Sequence, residues 1–291
     1  MAHDARSGCA LNAKVKDLAK GFLEIWQEKI MGFADLHIHT IHSYDGTSSI
    51  SAVLKHVVEH TNLNVIAITD HDTMSGVKRA MELGPHYGIE VVPGCEVSTA
   101  DGHLLALFVG QAPNSGQTLV ETALRIADMG GICIAAHPTA RGTSSLSFET
   151  IRQALKVPGV SKSLVGVEAI NGGLVYTRRN SLVSEQAQQL PLAQVGNSDA
   201  HVLLTIGQGK TEFEGRTALD LRRALEDHAT VAHMGKGLDG IGVLRSYIPR
   251  FLLRKLGWTE WNADPSQPMQ LVRLSKVMSD FMPVTSFVYK H

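Results

Sequence analysis

The sequence predicts an α/β fold in which a mostly parallel sheet closes into a distorted barrel. From Phe33 onward, short apolar runs alternate with segments of helical periodicity, as in sheets whose strands are connected by helices. The gap from Val92 to Leu104 is too short for a helix, so one connection is irregular and a regular eightfold barrel is not expected. The 291 residues, 44% of them hydrophobic, suffice for such a barrel with a sizeable core and further segments at both ends.

The strands are predicted from eight apolar runs. These are Phe33–Ile38, Val65–Thr69, Ile89–Val92, Leu104–Val109, Ile132–Ala136, Leu164–Ile170, Leu192–Gly196 and Thr230–His233.

Four helices between the strands are predicted from apolar residues spaced three and four apart. They contain Ile50–Val58, Leu119–Ala127, Val183–Leu190 and Leu221–Leu225. Gly130 is expected to end the second helix, and Thr217 with Asp220 is expected to begin the last.

The two ends of the chain differ from this alternating region. We divide the chain into a helical N-terminal extension (1–32), the barrel (33–235) and a C-terminal extension (236–291) that packs on the barrel or on the N-terminal helix. The first extension has an apolar stripe at helical spacing, formed by Leu11, Val15, Leu18, Phe22 and Ile25. The last contains a basic amphipathic stretch interrupted by Pro249, which could touch a membrane surface or a partner but is better interpreted as a surface helix with a solvated basic face. Since the three tryptophans, Trp26, Trp258 and Trp261, all lie in these extensions, we expect the two ends to pack together.

Composition excludes several classes of protein. A net charge of -1, from 27 Lys+Arg and 28 Asp+Glu, argues against a broad nucleic-acid surface, so nucleic acid is possible as a partner but not favoured. Three cysteines without a CxxC pair imply no disulfide framework. There is no secretion signal and no run approaching the roughly 18 apolar residues of a transmembrane segment, so a cytoplasmic location is expected. The oligomeric state is left open.

Histidine is the unusual residue, and its 14 copies outnumber the 8 phenylalanines and 5 tyrosines together. Many of them, with several carboxylates, fall at the ends of predicted strands: Asp35, His37 and His39 followed by Asp45, then Asp70–Asp72, Glu96, His103, His137, Glu168 with Asn171, and Asp199 with His201. The carboxyl ends of barrel strands form the face on which active sites are built. Strand side chains alternate, so His37 and His39 should point to the same side, as should Asp199 and His201 if the extended geometry persists there.

Such a cluster predicts a multinuclear metal site. A single buried histidine is more often an ordinary core residue, but six histidines and several carboxylates at successive strand ends need partners, and shared cations supply them. No Cys-rich zinc pattern is present, so the site is of the His/carboxylate type suited to Zn, Mn or Fe.

Four short motifs make the sequence recognisable. HIH at 37–39, TDHD at 69–72, AHP at 136–138 and SDAH at 198–201 resemble the motifs of the PHP (polymerase and histidinol phosphatase) family and follow the family's order. The resemblance covers roughly residues 33–235. It implies a distorted (β/α)7 barrel that holds two or three divalent metal ions and hydrolyses phosphoesters.

The resemblance also implies the metal positions. The first takes His37, His39, Glu96 and Asp199; the second shares Glu96 and adds His137, with His103 as the candidate for its remaining ligand; the third takes Asp45, His71 and His201. Some relatives have histidine where Asp45 stands, which affects metal preference or occupancy. The alternative for His103 is a strand residue with a structural hydrogen bond.

Further residues near the motifs are candidates for catalysis and binding. Asp70, Asp72 and His42 are the candidate catalytic residues, with support of the metal ligands as the alternative. Arg141, Arg178, Arg179 and Asn171 are the candidates for binding a small phosphorylated substrate, with an ordinary surface or loop-capping role as the alternative.

The predicted reaction is hydrolysis of a small phosphomonoester, of the nucleotide or sugar phosphate type, by metal-activated hydroxide. The alternatives are an exonuclease, a nucleoside-bisphosphate phosphatase, a histidinol phosphatase and a non-enzymatic, metal-stabilised scaffold. The exonuclease and bisphosphatase relatives commonly carry an insertion between the Glu and AHP motifs, and the 40 residues between Glu96 and His137 leave little room for it.

Overall fold

A computed structural model describes residues 29–139, 144–174, 176–261 and 268–279. The chain divides into two units, Met1–Ile30 and Met31–His291, and nearly all described residues belong to the second. The predicted N-terminal stripe and its packing on the C-terminal segment, including Trp26, lie outside the described residues.

The described strands form a nine-stranded sheet and a separate hairpin. The strands are β1 (Met31–Asp35), β2 (Val65–Ile68), β3 (Glu90–Thr99), β4 (Gly102–Leu107), β5 (Ile132–Ala135), β6 (Leu164–Asn171), β7 (Ala193–Asn197), β8 (Gly209–Glu214), β9 (Val231–Met234), β10 (Trp258–Trp261) and β11 (Gln270–Arg273). The large sheet has the order β7-β6-β5-β4-β3-β2-β1-β8-β9, and β10 pairs with β11.

Helices connect most of these strands. They are α1 (Ile50–His60), α2 (Val77–Leu83), α3 (Leu119–Asp128), α4 (Phe148–Leu155), α5 (Asn180–Ala187), α6 (Ala218–Glu226), α7 (Gly240–Lys255) and α8 (Leu274–Ser279). Thr217 caps α6 and forms a reciprocal capping box with Asp220, as the sequence predicts. Within the described part of the chain, no helix has both the length and the apolar composition needed to cross a bilayer.

The nine-stranded sheet curves into a nearly closed barrel, which confirms the predicted fold class. At the seam, the Thr211 hydroxyl of β8 accepts a hydrogen bond from the Gly196 backbone N–H of β7 (3.1 Å) and donates to the Gly196 carbonyl (2.9 Å). The strands approach so closely that a Cβ on Gly209 would lie 1.9 Å from the Asn197 carbonyl oxygen, so this position requires glycine.

One buried apolar cluster joins inward-facing strand residues to helix α6, with members that include Leu105, Ile134, Phe213 and Leu221. The Ala218 N–H at the start of α6 donates to the Glu90 carboxylate at the beginning of β3 (2.6 Å). Helix α6 therefore lies at the amino end of the parallel strands. The carboxyl ends remain for the polar residues of the motifs.

The irregular connection is a β-hairpin. β3 continues to Thr99 and pairs antiparallel with β4, which in turn pairs antiparallel with β5. The prediction that Glu96 follows the third strand is therefore wrong, because Glu96 lies inside β3. Strand β8 and helices α2 and α4 were not predicted, since their short or mixed apolar patterns lack a clear period.

Candidate metal centre

Glu96 lies at the centre of the histidine cluster. Its buried carboxylate contacts five imidazoles: Oε1 lies 2.7 Å from His103 Nδ1 and 3.0 Å from His137 Nε2, and Oε2 lies 3.2 Å from His37 Nε2, 3.3 Å from His39 Nε2 and 3.1 Å from His71 Nδ1. The antiparallel hairpin produces the contact with His103, because Glu96 on β3 and His103 on β4 are diagonal neighbours on the same face.

Asp199, two residues after the end of β7, approaches the rings of His37 and His39. Its Oδ1 lies 3.4 Å from His37 Nε2 and 3.3 Å from His39 Nε2. As predicted, His37 and His39 point to the same side, and their ring centroids are 5.1 Å apart. The extended geometry expected at Asp199 does not persist, because this residue has a φ of 50°.

Asp45 completes the outer part of the cluster. Its Oδ2 lies 3.0 Å from His201 Nε2 and 3.4 Å from His71 Nε2. Asp45 is 21% exposed, against 1% for Glu96 and 7% for Asp199. It is therefore the most solvent-accessible of the three carboxylates.

The structure brings all nine predicted ligand residues into four overlapping groups. Within each group, the ligand atoms lie within 4.8 Å of one another. The groups are His37, His39 and Glu96; His37, His137 and Asp199; His71, Glu96 and His103; and His39, Asp45, His71 and His201. Which residues bind which ion stays a prediction.

The donor atoms fit divalent cations. Nε2 of His37, Nε2 of His39, Nδ1 of His71 and Oε2 of Glu96 are buried without a hydrogen-bond partner, although they lie close to one another. Buried polar atoms in this state are costly, and a shared cation would satisfy them together. Imidazole and carboxylate donors without cysteine suit Zn, Mn or Fe.

The cluster is strongly polarised. Burial by itself lowers the pKa of His39, but the adjacent Asp199 and Glu96 carboxylates raise that pKa to about 10. Burial opposes ionisation of Glu96 and Asp199, yet the surrounding histidines hold the pKa of both carboxyls well below the usual range. In the metal-free protein, the cluster therefore holds protons on imidazole that a metal ion must displace.

Metal binding is accordingly expected to release protons and to tighten as pH rises. With the pKa of His39 near 10, each displaced proton should raise the apparent association constant by up to about tenfold per pH unit over the neutral range. Calorimetric titration with Mn²⁺ in buffers of different ionisation enthalpy measures the number of protons released. Repeating it at several pH values measures how the association constant depends on pH. Binding that is independent of pH and releases no protons would contradict this description.

Glu168 on β6 fixes two of the candidate ligand residues, His37 and His137, a role not assigned to it from the sequence. Its Oε1 accepts from His37 Nδ1 (3.0 Å) and Asn197 Nδ2 (2.9 Å), and its Oε2 accepts from the His137 backbone N–H (2.7 Å) and Asn171 Nδ2 (2.9 Å). With the proton of a neutral His37 ring on Nδ1, Nε2 keeps its lone pair for a metal. The signal available in the sequence was an acidic residue near the end of a buried strand.

Asp35 holds the backbone of the HIH and SDAH segments through hydrogen bonds. It accepts hydrogen bonds from the backbone N–H groups of Ser198 (3.0 Å) and Gly207 (2.9 Å), and more weakly from that of His37 (3.4 Å). Burial raises the pKa of Asp35 to about 6. This carboxyl therefore ties the HIH segment to the segment that carries Asp199.

The three candidate catalytic residues make contacts that stabilise loops. Asp70 accepts from the backbone N–H (2.6 Å) and hydroxyl (2.7 Å) of Thr40. Asp72, at a φ of 53°, accepts from the Ser98 N–H (2.8 Å). His42 Nδ1 lies 3.0 Å from the Ser75 hydroxyl. None of the three belongs to the four ligand groups, so their catalytic role stays a prediction and their contacts favour positioning.

The candidate substrate-binding residues are placed differently from one another. Arg141 lies outside the described residues, and Arg178 is exposed. Arg179 donates to the Thr139 carbonyl and lines a narrow cavity beside His137. Asn171 donates to Glu168 (2.9 Å) and more weakly to Asp199 (3.4 Å), so it links two carboxylates of the centre.

Two tyrosines flank the cluster and were not singled out from the sequence. The Tyr176 ring stacks on His137, with centroids 5.0 Å apart and an interplanar angle of 4°. The exposed Tyr44 ring stacks on His71, with centroids 4.8 Å apart. Both contacts bring together residues far apart in the chain, and neither has a local sequence pattern.

A cavity of about 310 Å³ borders the centre at Asp199 and His201. It is lined by Gly173, Leu174, Tyr176, Asp199, His201, Val202, Thr205, Val243 and Tyr247. Its walls away from the two candidate ligands are apolar, aromatic or uncharged.

The sequence is similar to those of several known proteins. The model of the PHP domain family matches residues 35–229. An uncharacterised protein of Methanocaldococcus jannaschii, MJ1587, is 36% identical over 148 residues, which are 47% of this chain and 81% of the relative. The phosphoribosyl 1,2-cyclic phosphate 1,2-diphosphodiesterase of Eggerthella lenta is 40% identical over 67 residues, 23% of this chain and 25% of that enzyme.

The fold is shared with a structure from Bifidobacterium adolescentis that is assigned as a metal-dependent phosphoesterase. The TM-score is 0.52 at 17% identity, over 72% of this chain and 98% of the other. At this identity, the similarity shows the fold.

Proposed function

Because the chain belongs to the PHP domain family, we propose that it is a metal-dependent phosphoesterase that hydrolyses small phosphomonoesters. The observation that supports this most is the convergence of nine histidine and carboxylate residues in four overlapping groups of close ligand atoms. Such a set holds several cations close together, as hydrolysis of a phosphoester requires.

The protein residues have distinct tasks in this proposal. Divalent cations held by the cluster would activate water and neutralise the phosphate oxygens. Glu96 would join the metal positions, since it contacts histidines of all three. Glu168 keeps His37 in the orientation that presents Nε2, and Asp35 fixes the backbone beneath His37 and Asp199.

The adjoining cavity would take the organic part of the substrate. Its volume of about 310 Å³ lies at the lower end of the range for small-molecule pockets. The uncharged walls formed by Leu174, Val202 and Val243 favour an alcohol portion without a second anionic group.

Alternative substrates are distinguished by the same features. The segment between Glu96 and His137 is occupied by the rest of β3, then β4, α3 and β5, so it contains no inserted domain of the kind common in exonuclease and bisphosphatase relatives. The Eggerthella lenta relative is named for a cyclic phosphate diester, so a cyclic ester belongs among the substrates to compare.

A substrate panel tests the proposal directly. Protein loaded with Mn²⁺, Zn²⁺ or Fe²⁺ is expected to release phosphate from AMP or ribose 5-phosphate with a kcat/KM at least about tenfold above that for adenosine 3′,5′-bisphosphate, histidinol phosphate, a cyclic phosphate or an oligonucleotide. Phosphate release and product chromatography measure the rates. A preference for the oligonucleotide would establish a nuclease instead, and binding of a protein partner without hydrolysis of any ester would establish a scaffold.

A further inference from the structure

Helix α7 contacts the loop that carries Asp45, although it lies beyond the part of the chain that the family model matches. The match ends at residue 229, and α7 spans Gly240–Lys255 with Pro249 inside it. The expectation that its basic face is simply solvated does not hold for Arg254, which is only partly exposed. The contact between α7 and this loop therefore involves a segment outside the part of the chain that matches the family.

Arg254 makes the principal contacts. Its Nη1 donates to the Tyr44 carbonyl (2.9 Å), and its Nη2 donates to the carbonyls of Ser43 and Ile41 (3.3 Å to Ile41). One guanidinium thus binds three carbonyls of the short segment that leads to Asp45. Its rigid arrangement of donors suits such a fixed set of acceptors, which the single ammonium group of lysine cannot reproduce.

Tyr247 adds a contact at Asp45 itself. Its hydroxyl donates to the Asp45 carbonyl (3.3 Å), and Tyr247 precedes Arg254 by about two turns on the same side of α7. Backbone position is therefore constrained both at Asp45 and at the residues before it.

Ser43 connects this loop to the candidate metal ligands Asp45 and His39. The Ser43 hydroxyl donates to Asp45 Oδ1 (2.8 Å) and lies 3.4 Å from His39 Nδ1. A shift of the loop would therefore displace Asp45 relative to His71 and His201. Glu96 and Asp199 stand on or next to strands of the sheet, whereas Asp45 depends on this loop.

We infer that Arg254 is a positioning residue that, with Tyr247, holds Asp45 at the proposed third metal position, formed with His71 and His201, and sets the metal affinity of that position. The inference rests on the metal centre of the proposed function. It makes helix α7 part of the proposed active site. It also separates the third metal position, which depends on α7, from the first and second positions, which are built on the barrel.

Calorimetric titration with Mn²⁺, monitored together with metal content, tests this inference without measuring catalysis. Arg254→Gln is expected to weaken one class of Mn²⁺ position by about 10–100-fold, the usual range for residues that orient ligands, and to change the others by less than about threefold. Arg254→Lys should restore little, and Tyr247→Phe, which removes one hydroxyl, should weaken the same class by a smaller factor. Arg245→Gln, a matched change at an exposed arginine of the same helix, should leave all classes unchanged.

A double-mutant cycle with Asp45→Asn identifies the affected position. If Arg254 acts through Asp45, adding Arg254→Gln to Asp45→Asn should cause almost no further loss of Mn²⁺ affinity. Additive losses, equal weakening of every class, or wild-type binding by both Arg254→Gln and Tyr247→Phe would overturn the inference. Mn²⁺ binding by Asp45→Asn equal to that of the wild type would also overturn it. Failure to hydrolyse any phosphoester would overturn the proposed function alone, because these titrations follow metal binding.

Discussion

Replacing Glu96 with glutamine is expected to lower phosphomonoesterase kcat/KM on the order of 10³-fold, equivalent to about 4 kcal/mol of transition-state stabilisation. The Glu96 carboxylate contacts five imidazoles of the centre, and it is the residue through which the proposed metal positions are joined. An amide of the same shape is neutral and replaces one ligand oxygen by a donor nitrogen. Steady-state kinetics over a range of metal concentrations measure the loss, which saturating metal should not restore.

Glu185→Gln is the matched control, because it makes the same chemical change at an exposed position of helix α5. Activity equal to that of the wild type is expected for this control. Comparable activity in Glu96→Gln would mean that the hydrolytic centre lies elsewhere.

Replacing Glu168 with glutamine is expected to lower metal affinity by about 10–100-fold. Glu168 accepts four hydrogen bonds, including one from His37 Nδ1 and one from the His137 backbone N–H. A glutamine side chain would place its amide NH2 group against one of the donors that Glu168 now accepts from, such as His37 Nδ1. The His37 ring would then lose its fixed orientation. Competition between the protein and a chelator for Mn²⁺ measures the affinity.

The two substitutions should differ at saturating metal. Glu168→Gln should regain most of its activity there, because all proposed ligands remain, whereas Glu96→Gln should not. Unchanged metal affinity in Glu168→Gln would show that this carboxylate does not orient the ligands.

Much of the candidate metal centre was predictable because many of its residues lie at or next to strand ends. Parallel strands place their carboxyl ends on one face, so histidines such as His37 and His137, distant in sequence, could be brought together from a strand map alone. Alternation along an extended segment also predicted that His37 and His39 share a side.

Other parts of the site could not be predicted from local patterns. Asp199 has a φ of 50° and His137 a φ of 26°, so the alternation rule does not apply where the backbone leaves the extended region. The contact of Arg254 with Ser43 spans 211 residues of sequence, and no periodicity connects the two. Strand β8 was missed because its polar and apolar residues are mixed. In the structure it pairs antiparallel with β1 and completes the barrel seam.

Stepwise reloading of metal-stripped protein tests the central claim most directly. Bound Mn²⁺ and phosphate release from AMP, or from the best ester of the panel, are measured in the same samples of wild type and Glu96→Gln. The metal-free wild type should be inactive, its activity should rise with bound metal, and the variant should stay near the background rate. Full hydrolysis by metal-free protein, or wild-type activity in metal-loaded Glu96→Gln, would contradict the assignment of this cluster as the hydrolytic centre.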